Sequence, residues 1–260
     1  MSIESLDLDR LRLPRGLGRV EYLPEVDSTN DLARRLSGEV PGDAAVLVVA
    51  ERQTAGRGRG SNRWWTGDGS LAFSLLFDPA RYGIETRYSC MVPLAAALAV
   101  VDVAAARLAT LSVGIHWPND VYIGPRKLAG VLVEALADGR QILGVGCNVN
   151  NSVSNAPHEV THLVASLVDE LGAPLDRTDV LSDLLQRLDA TLTELAARRE
   201  AVAEAADQLC LQRGRVLNLQ LGAERITGVC AGIAGDGALQ LDTPSGRRTL
   251  YSGVVLRDAD

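Results

Sequence analysis

From Met91 to Ala109 the chain reads MVPLAAALAVVDVAAARLA. A helix over this stretch is apolar on most of its sides, so it has to be surrounded by other chain rather than laid on a surface. A bilayer could also surround it, but Asp102 and Arg107 interrupt the run. We therefore expect a core helix and no membrane partner. With 260 residues, 47% hydrophobic and 23% charged, the chain can bury one large core and support a smaller unit besides.

Short apolar runs supply the rest of that core. VLVVA at 46–50 and LAFSLLF at 71–77 read as buried strands. The Gly- and Arg-rich QTAGRGRGSNRWWTGDGS between them reads as a long loop. GIHWPNDVYIGPRKLAGVLVEAL predicts strand, turn, strand, and ILGVGCNVN at 142–150 a further strand. Helices are expected over 159–171 and 179–209, where Leu181, Leu184, Leu185, Leu188, Leu192 and Leu195 keep helical spacing. After Cys210 the texture changes to about five short β-prone runs separated by GAE, GDG and PSG, which is turn chemistry. This order predicts an α+β fold: a mixed sheet with flanking helices over 1–210, and a small SH3-like barrel over 211–260.

The formal charge of -7 opposes a phosphate backbone, so nucleic acid is not expected as a partner. Cys90, Cys147, Cys210 and Cys230 are widely spaced and form no C-x-x-C pair. That suits a reducing compartment, and MSIESLDLDRLRLP lacks the apolar centre of a signal peptide, so the cytoplasm is expected.

Five segments can carry chemistry, and each also has an ordinary structural reading. Gly56-Arg57-Gly58-Arg59-Gly60 lets backbone N–H groups approach an anion while two arginines add forked donors; the alternative is a solvated loop. Trp64-Trp65 beside Arg63 can cap an apolar ligand, stack on a purine, or simply pack. His116-Trp117-Pro118-Asn119-Asp120 presents an amide and a carboxylate on one turn, and Lys127 and Gly130 follow on what should be the adjoining strand. Asp27 or Ser28 in Val26-Asp27-Ser28-Thr29-Asn30 can cap a helix. Gly144 to Asn150 is a strand of small residues ending in amides. A sixth segment, His158-Glu159-Val160-Thr161-His162, matches the H-E-x-x-H zinc-protease pattern. Pro157 puts His158 in a first helical turn, and the one remaining histidine is His116, so a zinc protease is a distant alternative.

Taken together and in this order, the segments resemble the biotin–protein ligases. The resemblance rests on Val26 to Asn30, Gln53 to Arg59 with Arg63-Trp64, Gly69 to Ser74, Trp117 to Asp120, Arg126 to Glu134, and Gly144 to Asn150. It implies a catalytic domain related to class II aminoacyl-tRNA synthetases and lipoate ligases, followed by an SH3-like domain. Many members add an N-terminal winged helix-turn-helix. Here 25 residues precede Val26, too few for a three-helix DNA reader, so the monofunctional form is expected. His116 stands where the family usually has lysine, and Ser61-Asn62 replace the customary Gly-Arg.

The resemblance further implies biotin and ATP as substrates, Mg²⁺ on the phosphates, and the biotin carboxyl carrier domain of a carboxylase as acceptor. Ser28, Thr29, Asn30, Gln53, Gly56, Arg57, Gly58, Arg59, Lys127 and Gly130 would bind biotin. Arg57, Arg59, Arg63, Trp64, Asn119, Lys127 and Asn148 would bind ATP or the adenylate. Lys127, Arg57 and Asp120 are the catalytic candidates, with Asp120 either holding metal or accepting a proton from the incoming lysine amine. A lipoate or octanoate ligase of the same fold and a biotin-responsive repressor are the rivals. Whether the chain forms a homodimer stays open.

Overall fold

A computed structural model describes residues 4–14, 16–108 and 112–256. The larger sheet is built from β1 (Leu17–Val26), β2 (Ala45–Gln53), β3 (Leu71–Phe77), β4 (Val113–His116), β5 (Asp120–Ile123), β6 (Arg126–Ala135) and β7 (Gln141–Cys147). Its order is β1-β2-β3-β7-β6-β5-β4. β1 and β2 are parallel and all other neighbours antiparallel, so the sheet is mixed. The parallel pair needs a crossover, supplied by α1 (Thr29–Leu36). β1 was not foreseen. Its apolar residues are interrupted by Arg19, Glu21 and Pro24, and it is an edge strand held through pairing with β2.

Alternation along the strands separates the two faces. Leu47, Val49, Leu71, Phe73, Leu75 and Phe77 belong to the main core, together with α2 (Val92–Ala105) and α5 (Arg177–Ala197). α2 thus lies inside protein: all but three of its fourteen residues are buried. Val46, Val48, Leu76 and Ile142 point the other way, onto Ala33 and Leu36 of α1. This second face also carries the cleft.

Two of the expected helices are broken. In place of one helix over 159–171 there are α3 (His158–Thr161) and α4 (Leu167–Leu171). Between them, Leu163 O accepts from Lys127 N at 2.8 Å and Ala165 N donates to Lys127 O at 2.9 Å. Those tertiary hydrogen bonds outweigh local helix propensity. The run expected over 179–209 divides into α5 and α6 (Arg199–Gln208) at Arg198, whose φ of -146° and ψ of 60° lie outside the helical region.

Beyond α6, the strands β8 (Val216–Leu221), β9 (Glu224–Ile233), β10 (Leu239–Thr243), β11 (Gly246–Leu250) and β12 (Val254–Leu256) form an antiparallel sheet in the order β11-β10-β9-β8-β12. This is the SH3-like unit. It is fastened to the larger sheet at and beside the end of β4, where Leu211 N donates to Ile115 O at 3.0 Å. Gln212 Oε1 accepts from the Trp117 backbone N–H at 2.7 Å, and Trp117 Nε1 donates to Gly237 O at 3.0 Å.

Candidate active site

Cross-strand register lays out the cleft face row by row. Val46, Leu76, Ile142 and Glu134 form one row; Val48, Ser74, Gly144 and Leu132 the next; Ala50, Ala72, Gly146, Gly130 and Asp120 the third. α1 covers the first two rows. The third is a shelf of small residues, and the side chain lying on it is Trp64. A Cβ on Gly146 would overlap the Trp64 indole, and one on Gly130 would stand 3.3 Å from the same ring. Glycine at 144 serves α1 in the same way, because a Cβ there would occupy the place of Asn30 Oδ1. Small residues thus create the space, as their order in the sequence implied.

One end of the cleft is a polar floor built from α1, β2 and β3. Ser28 caps α1, without a side-chain cap bond, and Asp27 Oδ1 accepts from Ser28 N. Gln53 Oε1 accepts from Thr29 N at 2.8 Å and from Thr29 Oγ1 at 3.1 Å, while Gln53 Nε2 donates to Thr66 Oγ1. Ser74 Oγ lies 2.8 Å from Thr29 Oγ1 and 2.6 Å from Asn30 Oδ1. Asn30 Nδ2 donates to Glu134 Oε2 at 2.7 Å. Ser28, Thr29, Asn30 and Ser74 are all buried.

The other end is charged. The Gly-Arg segment is not an open loop but a tight hairpin, closed by Trp64 N to Gly56 O at 2.9 Å and Gly58 N to Asn62 O at 2.8 Å. The hairpin points Arg57 back at the sheet, where Nη2 meets Glu134 Oε2 at 2.6 Å and Asp31 Oδ1 at 2.8 Å. Arg59 Nη1 reaches Asn119 Oδ1 at 3.4 Å, and Asn119 Nδ2 donates to Val131 O. Burial lowers the Arg59 pKa, and the nearby charge of Asp120 opposes that shift. Lys127 Nζ forms an ion pair with Asp120 Oδ2 at 2.7 Å and lies 5.6 Å from the centre of the Trp64 ring. The Asp and Lys of adjoining strands thus meet.

Burial pushes the Glu134 carboxyl up, yet hydrogen bonds from Asn30 and Arg57 and the charges of Arg57 and Arg34 outweigh it. Glu134 therefore titrates below the ordinary 4.5. Three buried polar atoms of the cleft have no hydrogen-bond partner: Arg57 Nε, Trp64 Nε1 and Asp120 Oδ1. Unpaired buried groups are costly, and a polar ligand would satisfy them. The orphaned Asp120 oxygen also suits a hard cation that takes its remaining ligands from phosphate.

The sequence-derived candidates divide by position. Ser28, Thr29, Asn30 and Gln53 converge at the polar end, where Arg57 joins them through Glu134; Arg59, Asn119, Asp120 and Lys127 meet at the charged end; Gly56, Gly130 and Trp64 shape the space between, and Gly58 lies in the hairpin beside Asn62. Arg63 is exposed on the outer arm of the hairpin. Asn148 is committed elsewhere, donating to Ala165 O at 2.9 Å and accepting from Asn151 Nδ2 at 2.8 Å. Asp31, Ser74 and Glu134 were not singled out. Glu134 closes the Lys127-to-Glu134 block, eight residues in which an acid at a strand end was the available signal. His158, Glu159 and His162 are exposed on and beside a four-residue helix, and no group of three potential metal ligands occurs among the described residues.

A mixed sheet carrying a glycine shelf between a polar end and a charged end suits a ligand that joins a polar ring to an anionic group. The profile of the Biotin/lipoate A/B protein ligase family matches residues 22–151, and that of the Biotin protein ligase C terminal domain matches 214–257. The bifunctional ligase/repressor BirA of Salmonella typhimurium is 31% identical over 99% of this chain and 80% of its own length. The biotin–[acetyl-CoA-carboxylase] ligase of Mycobacterium tuberculosis is 32% identical over 95% of this chain and 96% of its own. Among solved structures, the biotin protein ligase of Aquifex aeolicus in complex with biotin and ATP superposes with a TM-score of 0.78 at 30% identity. It covers 92% of this chain and 97% of that one. The chain belongs to the biotin/lipoate protein ligase family.

Proposed function

We propose that this protein is a biotin–protein ligase: it joins biotin to AMP using ATP, then passes biotin to a lysine of a biotin carboxyl carrier domain. The observation that carries the reading is the pairing of two unlike ends in one cleft. A neutral polar floor suits a cyclic urea, and Lys127, Arg57 and Arg59 suit a carboxylate meeting a polyphosphate.

In the first half-reaction, a biotin carboxylate oxygen attacks the α-phosphorus and pyrophosphate leaves with its bonding pair. Like charges meet, so the protein must supply cations before the bond forms. Lys127 does so between carboxylate and α-phosphate, and its backbone is fixed on both sides by residues 163–165. Arg57 and Arg59 approach from the hairpin, with Arg57 Nε free for the adenylate. Trp64 lies over the junction and excludes the water that would hydrolyse the mixed anhydride. Mg²⁺ would neutralise phosphate charge, held by ATP and Asp120 Oδ1. In the second half-reaction, the acceptor amine attacks the carbonyl carbon and AMP leaves. Asp120, paired with Lys127, would take the proton that the amine gives up. A net charge of -7 argues against a nucleic acid partner, and four free cysteines suit the cytoplasm.

Exchange of labelled pyrophosphate into ATP tests the reading. Biotin should support exchange and lipoate should not. Exchange with lipoate alone would overturn it.

A further inference from the structure

We propose that the chain withholds side-chain amines from the mixed anhydride it makes, so that the enzyme is not its own acceptor and the attacking lysine comes from another protein. This deepens the biotin ligase reading and rests on it, because the intermediate of that reaction acylates primary amines.

Lysine is ordinarily among the commonest residues. Here lysine and arginine together number 26, and Lys127 is the single lysine among them. Positive charge around the cleft is otherwise carried by guanidinium groups. Arg57 and Arg34 meet Glu134 at 2.6 and 2.9 Å, Arg59 Nη1 lies 3.4 Å from Asn119 Oδ1, and Arg63 is exposed on the outer arm of the hairpin. Either residue type can supply charge to a phosphate; toward an anhydride the two differ. A neutral lysine amine bonds through nitrogen to the biotin carbonyl carbon. The bond from that carbon to the phosphate oxygen breaks, AMP leaves with the pair, and the nitrogen gives up a proton as the amide forms. A guanidinium keeps its proton in proteins and accepts nothing, so it contributes charge without attack.

Lys127 is the exception, and its amine is enclosed. Asp120 Oδ2 lies 2.7 Å from Nζ, the Trp64 ring centre 5.6 Å away, and a Cβ on Gly130 would stand 3.1 Å from the same nitrogen. The backbone at 127 is bonded to Leu163 and Ala165 on its two sides, so the side chain starts from a fixed point and ends on a carboxylate. In that ion pair the nitrogen offers hydrogens to its surroundings and no lone pair. Lys127 is therefore committed as a cation, the remaining basic side chains are guanidinium groups, and any further side-chain amine has to be brought in by a partner.

The experiment incubates the protein with biotin, ATP and Mg²⁺ without an acceptor, then maps biotin on its side chains by peptide mass spectrometry. Wild-type protein should carry none. Arg63→Lys and Arg59→Lys each place a primary amine on the hairpin and keep the formal charge, and each should gain one biotinyl group at the new lysine. Arg63→Gln changes the same position without adding an amine and should stay unlabelled. Where a variant no longer makes the intermediate, synthetic biotinyl-5′-AMP in equimolar amount replaces the first half-reaction. Labelling of either new lysine, with wild-type side chains bare, supports the proposal. Biotin on Lys127 of wild-type protein, or both new lysines left bare, overturns it. Absence of any biotin-dependent pyrophosphate exchange in wild-type protein would instead remove the functional reading beneath it.

Discussion

The two ends of the cleft satisfy their polar groups in opposite ways. At the polar floor, Thr29, Asn30, Gln53 and Ser74 are paired with one another and lie within a buried network. At the charged end, pairing is partial: Asp120 gives one oxygen to Lys127 and keeps the other unpartnered. A finished network holds its shape and discriminates through the cost of breaking it. An unfinished one gains partners when charged ligands arrive, which is where stabilisation of a developing charge is useful. The difference teaches that recognition and chemistry are assigned to separate sets of residues, joined through Glu134 and the glycine shelf.

The largest expected effect separates the ends directly. Lys127→Ala should lower biotin-dependent pyrophosphate exchange at least a hundredfold, on the order of 3 kcal/mol of transition-state stabilisation, while biotin affinity changes far less. Exchange kinetics and calorimetry on the same preparation check this; loss of affinity alone would merge the two ends into one. Next, Gly146→Val should displace Trp64 from the shelf. Overpacking of this kind costs about 1–3 kcal/mol, so ligand affinity should weaken by about tenfold with both half-reactions affected. Unchanged affinity would mean that Trp64 does not roof the ligand. The smallest effect is in pH dependence. Glu134 and Glu51 both titrate below the ordinary 4.5: burial pushes each up, but arginine partners and hydrogen bonds outweigh it. A depressed carboxyl contributes stability that is present above about 4.5 and is lost as pH falls through the lowered value. Urea unfolding from pH 7 to pH 3 should therefore show stability falling below pH 5, by at most about 1.4 kcal/mol per pH unit for each group. The fall should be shallower in Glu134→Gln.

Much of this was legible in the residues. The apolar run at 91–109 demanded burial, and α2 is buried; the turn-rich tail demanded short strands, and five are present. Arg63 apart, the polar and charged candidates from Ser28 to Lys127 gather over one sheet face because small residues at 72, 130, 144 and 146 leave room there. What was not legible depended on long-range pairing. β1 has little alternation of its own and exists because β2 offers it an edge. The helix expected over 159–171 gave way because Lys127 needed backbone partners from 163–165. The Gly-Arg segment read as a long loop, and hydrogen bonds across Gly56–Trp64 fold it into a hairpin. Glu134 was quoted only as the end of a block, because an acid at a strand end does not name its partners; its meaning lies in Asn30 and Arg57, 104 and 77 residues away.

The central claim is that one molecule of biotin spans both ends, ring on the floor and carboxylate at Lys127. A crystal structure with biotin and a non-hydrolysable ATP analogue tests it most directly. The account predicts ureido nitrogens within hydrogen-bond reach of Thr29, and the carboxylate and α-phosphate both within reach of Lys127 Nζ, beneath Trp64. A ring lodged against Lys127 and Arg59, or a carboxylate seated on Thr29 and Gln53, would contradict it.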